Sequence, residues 1–149
     1  MPKVTLIPGD GIGPEITQVM CHILKLVEAD IEWEVIQAGG EEAQQNQGAL
    51  SSVLLDSLES TRVALKGPIT TPIGKGFRSM NVELRKKYDL YANIRPILSM
   101  GNVPSRYSNV DLIIFRENTE DLYAGQEVMI SADEAHSIKV ITRSASRRI

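Results

Sequence analysis

Cysteine is almost missing from this chain. Cys21 is the single one in 149 residues, so no intramolecular disulfide framework can form, and a reducing compartment is expected. Cys21 falls inside an apolar helical pattern, which predicts a packing role for it and not a reactive one. Long hydrophobic runs are absent, with nothing near the ~20 apolar residues of a membrane span. Excess charge is absent as well. A formal net charge of -3 offers no electrostatic case for nucleic-acid binding. Internal repeats and low-complexity tracts are not seen. The opening residues, Met1 to Gly11, enter a strand at once and leave no room for a targeting segment, so a cytoplasmic protein is expected, or one whose targeting segment has been removed.

What is present is the composition of a globular protein, 42% hydrophobic and 23% charged. The length suits one ordinary domain with its own core. Val4 to Ile7 is a short apolar run closed by Pro8 and Gly9, which reads as a buried strand. Pro14 stands where a first helical residue belongs. Ile16, Val19, Met20, Ile23, Leu24 and Val27 then follow helical spacing. Ile31 to Ile36 alternates acidic and apolar residues, the pattern of a half-exposed strand. A polar helical stretch, a short helix near Val53 to Leu58 and a strand over Val63 to Leu65 follow. This alternation predicts an α/β fold with a largely parallel sheet.

Beyond a Gly, Pro and Thr-rich loop from Gly67 to Gly76, a helix is predicted from Met80 to Tyr88, with Ser79 as its cap. Strands are expected at Leu90 to Ile94, Asp111 to Phe115, Val128 to Ile130 and Ile138 to Thr142. At the end of the chain Ser144 reads as an N-cap and Ala145 to Ile149 as a first helical turn. Arg147 and Arg148 are then poorly placed against the helix dipole. A turn that short is unstable alone, since helices below ~12 residues are marginal. The expectation is therefore of a chain that stops inside an element.

The turn Gly9-Asp10-Gly11-Ile12-Gly13-Pro14 invites a dinucleotide reading, but the sequence lacks what that reading needs. Pro14 takes the place of the third glycine, and no acidic residue closes the second strand, which ends Ile36-Gln37-Ala38. A tight strand-to-helix connection explains the glycines equally well.

The segment Gly67 to Pro96 is more informative. Asn81 and Arg85 are four residues apart on one helical face. A helix N-terminus seats a carboxylate, and Arg85 adds a charge-assisted contact. Arg95 and Arg116 are read as ending their strands, where open α/β sheets place ligands. Tyr123 follows in the loop Glu117 to Gly125. Each arginine by itself could be a solvated surface charge, and Tyr123 a rim aromatic. Together they describe a site for a small polyanion. Glu117 to Asp121 contains carboxylates and an amide that could ligate Mg²⁺, but a hydrogen-bonded turn is the preferred reading.

Four stretches carry a family resemblance: Leu6 to Ile16, Gly67 to Lys86, Leu90 to Pro96 and Ile113 to Gly125. Together they resemble the decarboxylating β-hydroxyacid dehydrogenases, which comprise isocitrate, homoisocitrate, isopropylmalate and tartrate enzymes. The likeness runs from Val4 to the last residue. It implies the N-terminal portion of a non-Rossmann, two-domain α/β fold. Residues 1–95 would belong to the large domain, 96–122 would begin the small domain, and 123–149 would form an arm that clasps a partner subunit in a dimer or larger homo-oligomer.

In the resembling isocitrate enzymes Ser79 and Asn81 receive the γ-carboxylate, while Arg85, Arg95 and Arg116 hold the other two. Isopropylmalate enzymes replace the serine and asparagine with apolar and acidic residues. Burying an alkyl group against a hydroxyl and an amide leaves each unpaired, at ~1–3 kcal/mol, so isocitrate is expected, with homoisocitrate behind it. The implied reaction is hydride transfer from C2 to NAD or NADP, then metal-assisted decarboxylation to 2-oxoglutarate with Mg²⁺ or Mn²⁺. Tyr123 resembles the general acid that protonates C3. Thr70 and Thr71 fall where the family touches the nicotinamide. The catalytic lysine, the metal-binding aspartates and the adenosine loop belong to segments after Ile149 in the family. Two other readings stay open: a non-catalytic module that senses isocitrate or citrate, and a fragment whose role is to clasp a partner.

Overall fold

The computed structural model describes residues 1–39, 50–70 and 79–149. The chain divides into two compact units, Met1–Glu83 and Leu84–Ile149, and each is described by itself.

The first unit is built on a three-stranded parallel sheet of order β2-β1-β3. Its elements are β1 (Lys3–Ile7), α1 (Gly13–Leu26), β2 (Glu32–Val35), α2 (Ser52–Thr61) and β3 (Ala64–Lys66). Register pairs Leu6 with Val35 on one side and with Leu65 on the other. A central parallel strand is covered on both faces. Accordingly Thr5 and Leu54 are fully buried and Ile7 nearly so. Thr5 is the polar member of that core, and a hydroxyl relay satisfies it. Its Oγ1 lies 2.8 Å from Ser57 Oγ and 2.7 Å from Thr61 Oγ1, while Ser57 donates to Glu34 at 2.6 Å. The relay ends at the Lys3–Glu34 ion pair, 2.9 Å long. Buried hydroxyls with partners in a line cost little, whereas one orphaned member would cost its desolvation. Ser51 caps α2 by accepting from the Leu54 amide.

The sequence reading of this unit holds for its elements and their order. Two details differ. The buried residues of α1 are Gly13 and Thr17, while Ile16, Val19, Met20, Ile23 and Val27 are exposed. The helix sits down on its small residues because it rests against a glycine turn, described below. Cys21 is therefore half-buried and not enclosed as expected. The polar helical stretch expected before α2 falls largely on residues 40–49, outside the described residues.

Helix α3 (Met80–Lys87) contains the division point. The carbonyl of Ser79 accepts from the Val82 and Glu83 amides and so opens the helix. The second unit continues with β4 (Ala92–Leu98), β5 (Asp111–Glu117), β6 (Asp121–Met129), β7 (Ala135–Val140) and α4 (Arg143–Arg148). Among the described residues β4 pairs with β5 and β6 with β7, both antiparallel. The parallel order predicted from strand–helix alternation is thus confined to the first unit, where helices supply the crossovers.

Three sequence expectations are corrected here. Strand β4 runs on to Leu98, so Arg95 lies inside a paired strand and not at its end, opposite Ile114. Pro96 does not stop β4, since a proline is accommodated on an edge strand. Likewise β5 continues through Arg116 to Glu117. At the chain end Thr142, not Ser144, caps α4, accepting from the Ala145 amide at 3.2 Å. Arg147 and Arg148 consequently fall in the last turn of α4, where positive charge is favoured by the helix dipole.

Candidate active site

Antiparallel register decides where the arginines point. Asn93 lies opposite Arg116, and Arg95 lies opposite Ile114. Residues opposite one another share a face, as do residues two apart on one strand. Asn93, Arg95 and Arg116 therefore stand on one face of the β4–β5 ribbon, with Arg95 and Arg116 as diagonal neighbours. Asn93 Oδ1 accepts from Arg95 Nε at 2.8 Å, which orients that guanidinium. Asn93 was not singled out in the sequence, although its spacing of two from Arg95 on a strand is the signal that places it.

Tyr123 lies within β6 and not in a loop. The strand is irregular there. Asp121 pairs with Val140 and Gln126 with Ile138, so five steps along β6 match two along β7. Such a bulge bends a strand and re-aims a side chain. Gly125, at φ +66°, supplies the left-handed residue it needs. The re-aimed ring has two cations close to it, with the Arg85 and Arg116 guanidinium carbons 4.8 Å and 5.2 Å from its centroid. Arg116 also donates a hydrogen bond from Nη2 to the Tyr123 hydroxyl. Lys86 holds the C-terminal part of α3 against the same strand by donating to the Ala124 carbonyl at 3.0 Å.

An open pocket of about 330 Å³ adjoins this group, lined by Arg116, Tyr123, Glu117, Glu120, Ile141 and Ser146 among others. Small-molecule sites typically occupy ~300–1,000 Å³. Its two glutamates are already engaged. Glu117 accepts from the Thr119 amide and hydroxyl and from the Glu120 amide, at 2.9, 2.6 and 2.8 Å. Glu120 accepts from the Thr142 amide and hydroxyl at 2.7 and 2.6 Å. Burial works to raise the Glu117 pKa, but the Thr119 hydroxyl and the amides of Glu120, Thr119 and Asn118 overcome it and hold the carboxyl below its ordinary value. The turn is thus a hydrogen-bonded structure in its own right, as preferred from sequence. Among the described residues no group of three or more His, Cys, Asp or Glu could hold a metal ion.

Asn81 is half-buried on α3, and its side-chain oxygen is buried without a donor. Asn81 and Arg85 share a helix face by their spacing of four.

The glycine turn serves packing. A Cβ on Gly9, where φ is +80°, would lie 1.9 Å from the Pro68 carbonyl oxygen, and one on Gly67 would lie 2.1 Å from that of Pro8. The two strand exits are pressed together. Asp10, missed in the sequence, anchors the second exit: its Oδ1 accepts from the Thr70 amide at 2.8 Å and the Thr70 hydroxyl at 2.6 Å. Thr71 lies outside the described residues.

Comparison with known proteins gives the family of the chain. The family model for isocitrate/isopropylmalate dehydrogenase matches residues 3–149, and the chain belongs to that family. It is 48% identical over 99% of its length to a regulatory subunit of the mitochondrial NAD isocitrate dehydrogenase from Dictyostelium discoideum, covering 40% of that protein. It is 46% identical, again over 99%, to the chloroplastic 3-isopropylmalate dehydrogenase of Solanum tuberosum, covering 41% of it. The crystal structure of isocitrate dehydrogenase from Methylococcus capsulatus superimposes with a TM-score of 0.87 at 43% identity, over 99% of this chain and 45% of that one. The chain thus spans about two-fifths of the length of these curated relatives. The fold is the corresponding portion of the family's non-Rossmann α/β architecture, which accounts for the failed dinucleotide fingerprint. No described helix is long and apolar enough to cross a membrane.

Proposed function

We propose that this chain supplies the substrate-binding and proton-donating part of an NAD- or NADP-dependent isocitrate dehydrogenase, which converts isocitrate to 2-oxoglutarate and CO₂. The observation that carries the reading is the approach of both Arg85 and Arg116 to the Tyr123 ring, with Arg95 on the ribbon face that Arg116 shares. An ordinary surface has no reason to gather two guanidinium groups beside one phenol and a third on the same ribbon face. A polycarboxylate explains the gathering, because fork-shaped donors match carboxylates two bonds at a time.

In this reading Arg85, Arg95 and Arg116 hold two carboxylates, and Ser79 and Asn81 take the third. A nicotinamide cofactor held at Thr70 and Thr71 would supply the acceptor for the hydride from C2. After CO₂ leaves, the Tyr123 hydroxyl gives its proton to C3, and the charge left on its oxygen faces the Arg116 guanidinium that already binds it. Thr70 is the proposed nicotinamide contact, together with Thr71; the Thr70 hydroxyl proton is committed to Asp10, which leaves it acceptor capacity. The Mg²⁺ or Mn²⁺ that the family resemblance implies finds no ligand set among the described residues, and no step is routed through it. The domain division proposed from sequence goes with this reading. Residues 123–149 form its clasping arm, supported by the exposed Val128, Met129 and Ile138 on the β6–β7 ribbon. The partner is a second copy of the chain. The cytoplasm is the proposed compartment, which cell fractionation tests against the mitochondrial names of several relatives.

Identity to relatives does not choose between isocitrate and isopropylmalate, since 48% and 46% are equivalent. Ser79 and Asn81 support isocitrate in this reading, because a third carboxylate suits a polar pair better than an isopropyl substituent does. The test is NAD⁺ and NADP⁺ reduction with isocitrate and Mn²⁺, compared for the unaltered protein and Tyr123→Phe. Loss of a general acid costs on the order of 10²–10⁴-fold, so equal turnover by the variant would remove Tyr123 from the mechanism. A second reading, a non-catalytic chain that senses isocitrate, is favoured by the regulatory name of the Dictyostelium relative. It predicts isocitrate binding with no turnover.

A further inference from the structure

Arg148 of α4 makes contacts that the proposed chemistry does not use. Its Nη1 donates to Asp89 at 2.8 Å and its Nη2 to the Thr119 hydroxyl at 3.0 Å. Glu117 Oε1 lies 3.9 Å from the same Nη2, and the guanidinium stacks 4.7 Å from the Tyr91 ring centroid. At the other end of this helix Thr142 donates twice to Glu120 while capping the Ala145 amide. Both ends of α4 therefore grip one turn, residues 117–121. That turn joins Arg116 at the end of β5 to Tyr123 in β6.

The turn is the hinge of the candidate site. Asp121 sits in it at φ +59°, a conformation that most side chains resist. Thr119 passes the grip on, because it receives Arg148 and itself donates to Glu117, the residue next to Arg116. On the other flank Asn118 Nδ2 donates to the Leu90 carbonyl at 3.2 Å, beside the Tyr91 on which Arg148 stacks. The ion pair with Asp89 counts for little, since Asp89 is 65% exposed. The contacts that matter are those to Thr119 and Tyr91, which set direction as well as distance.

We propose that α4 is a brace for the anion site, with Arg148 and Thr142 as positioning residues that hold Arg116 against Tyr123. The proposal rests on the reading that this pair belongs to the substrate site. Side chains that must meet a ligand within fractions of an ångström need such a supporting shell.

The test compares the full chain with Arg148→Ala, Arg148→Lys and Thr142→Val. The Tyr123 ring signals are followed by NMR, assigned by their loss in Tyr123→Phe, and isocitrate is titrated well below each melting temperature. Arg148→Ala is expected to shift the Tyr123 signals and weaken isocitrate binding about tenfold, the partial loss of one charge-assisted hydrogen bond. Arg148→Lys keeps the charge but not the fork or the planar stack, so it restores binding only in part. Thr142→Val carries the test by itself if Arg148→Ala does not fold. Unchanged Tyr123 signals and unchanged binding beside a lowered melting temperature would make α4 merely structural and overturn the brace. If the unaltered chain binds no isocitrate, the reading of the site fails, and the Tyr123 signals alone still decide whether α4 positions the pair.

Discussion

Arg116 and Tyr123 are seven residues apart, at opposite sides of one turn, and the arginine hydrogen-bonds the phenol while its guanidinium carbon lies 5.2 Å from the ring centroid. The contact uses both faces of what tyrosine offers, the polar tip and the π surface. Arg85 approaches the same ring from α3 at 4.8 Å. Two cations beside one neutral ring repel each other, and an anion between them would relieve that repulsion.

Arg116→Lys is therefore expected to behave as a loss. Lysine keeps the charge but gives up the fork and the planar stack. The variant should raise the Kd for isocitrate by the worth of a charge-assisted hydrogen bond, ~1.5–3 kcal/mol, as measured by calorimetry. An unchanged Kd would mean that the guanidinium serves only the fold.

Ser79→Leu tests substrate choice. The substitution removes a hydroxyl proposed to meet the third carboxylate and supplies apolar surface in its place. Isocitrate binding should fall by ~1–3 kcal/mol while isopropylmalate binding rises. Competition between the two compounds reads the change directly, and parallel weakening of both would count against a role at this position.

Much of this was legible in the sequence, for identifiable reasons. A short apolar run marked β1 and helical spacing marked α1, although the apolar positions of α1 are the exposed ones. Arg85 was placed on its helix, whereas Arg95, Arg116 and Tyr123 were found as residues but not where they stand. Arg95 was read as a strand end, yet β4 runs on through Pro96 to Leu98, since an edge strand tolerates proline. Tyr123 was read into a loop because Gly125 and the acidic run look like one. They form a bulge and a turn whose hydrogen bonds depend on partners far along the chain, such as Glu120 with Thr142. The brace from Arg148 was invisible for the same reason: its partners are 29 and 59 residues away.

Gly9→Ala tests the packing account of the glycine turn. The new Cβ meets the Pro68 carbonyl oxygen at 1.9 Å, and φ is +80°. Backbone strain of this kind costs ~1–3 kcal/mol before the clash is counted, so the denaturation midpoint should fall clearly. Gly11→Ala is the control, since its φ is +56° but its nearest neighbour is 4.0 Å away. Equal losses in the two variants would contradict the role given to close approach.

Acidification tests the turn. The Glu117 carboxyl is held below its ordinary value despite its burial, by the Thr119 hydroxyl and three amides. Glu34 is lowered too, chiefly by its hydrogen bond from Ser57 and then by that from Lys3. A depressed folded pKa gives stability that is present above the unfolded value and lost as pH falls through the folded one. Melting temperature should therefore drop as pH falls below the ordinary glutamate range. Glu117→Gln should be less stable at neutral pH and lose less on acidification. A parallel acid limb in the variant would show that Glu117 contributes nothing to it.

The central claim is that Arg85, Arg95, Arg116, Ser79 and Asn81 together hold a tricarboxylate. Calorimetric titration of isocitrate and of isopropylmalate into the unaltered chain tests it most directly. The account predicts that isocitrate binds at least about tenfold more tightly, ~1.4 kcal/mol, the lower end of the cost of stranding one buried polar group. Equal or tighter binding of isopropylmalate, or no binding of isocitrate at all, would contradict it.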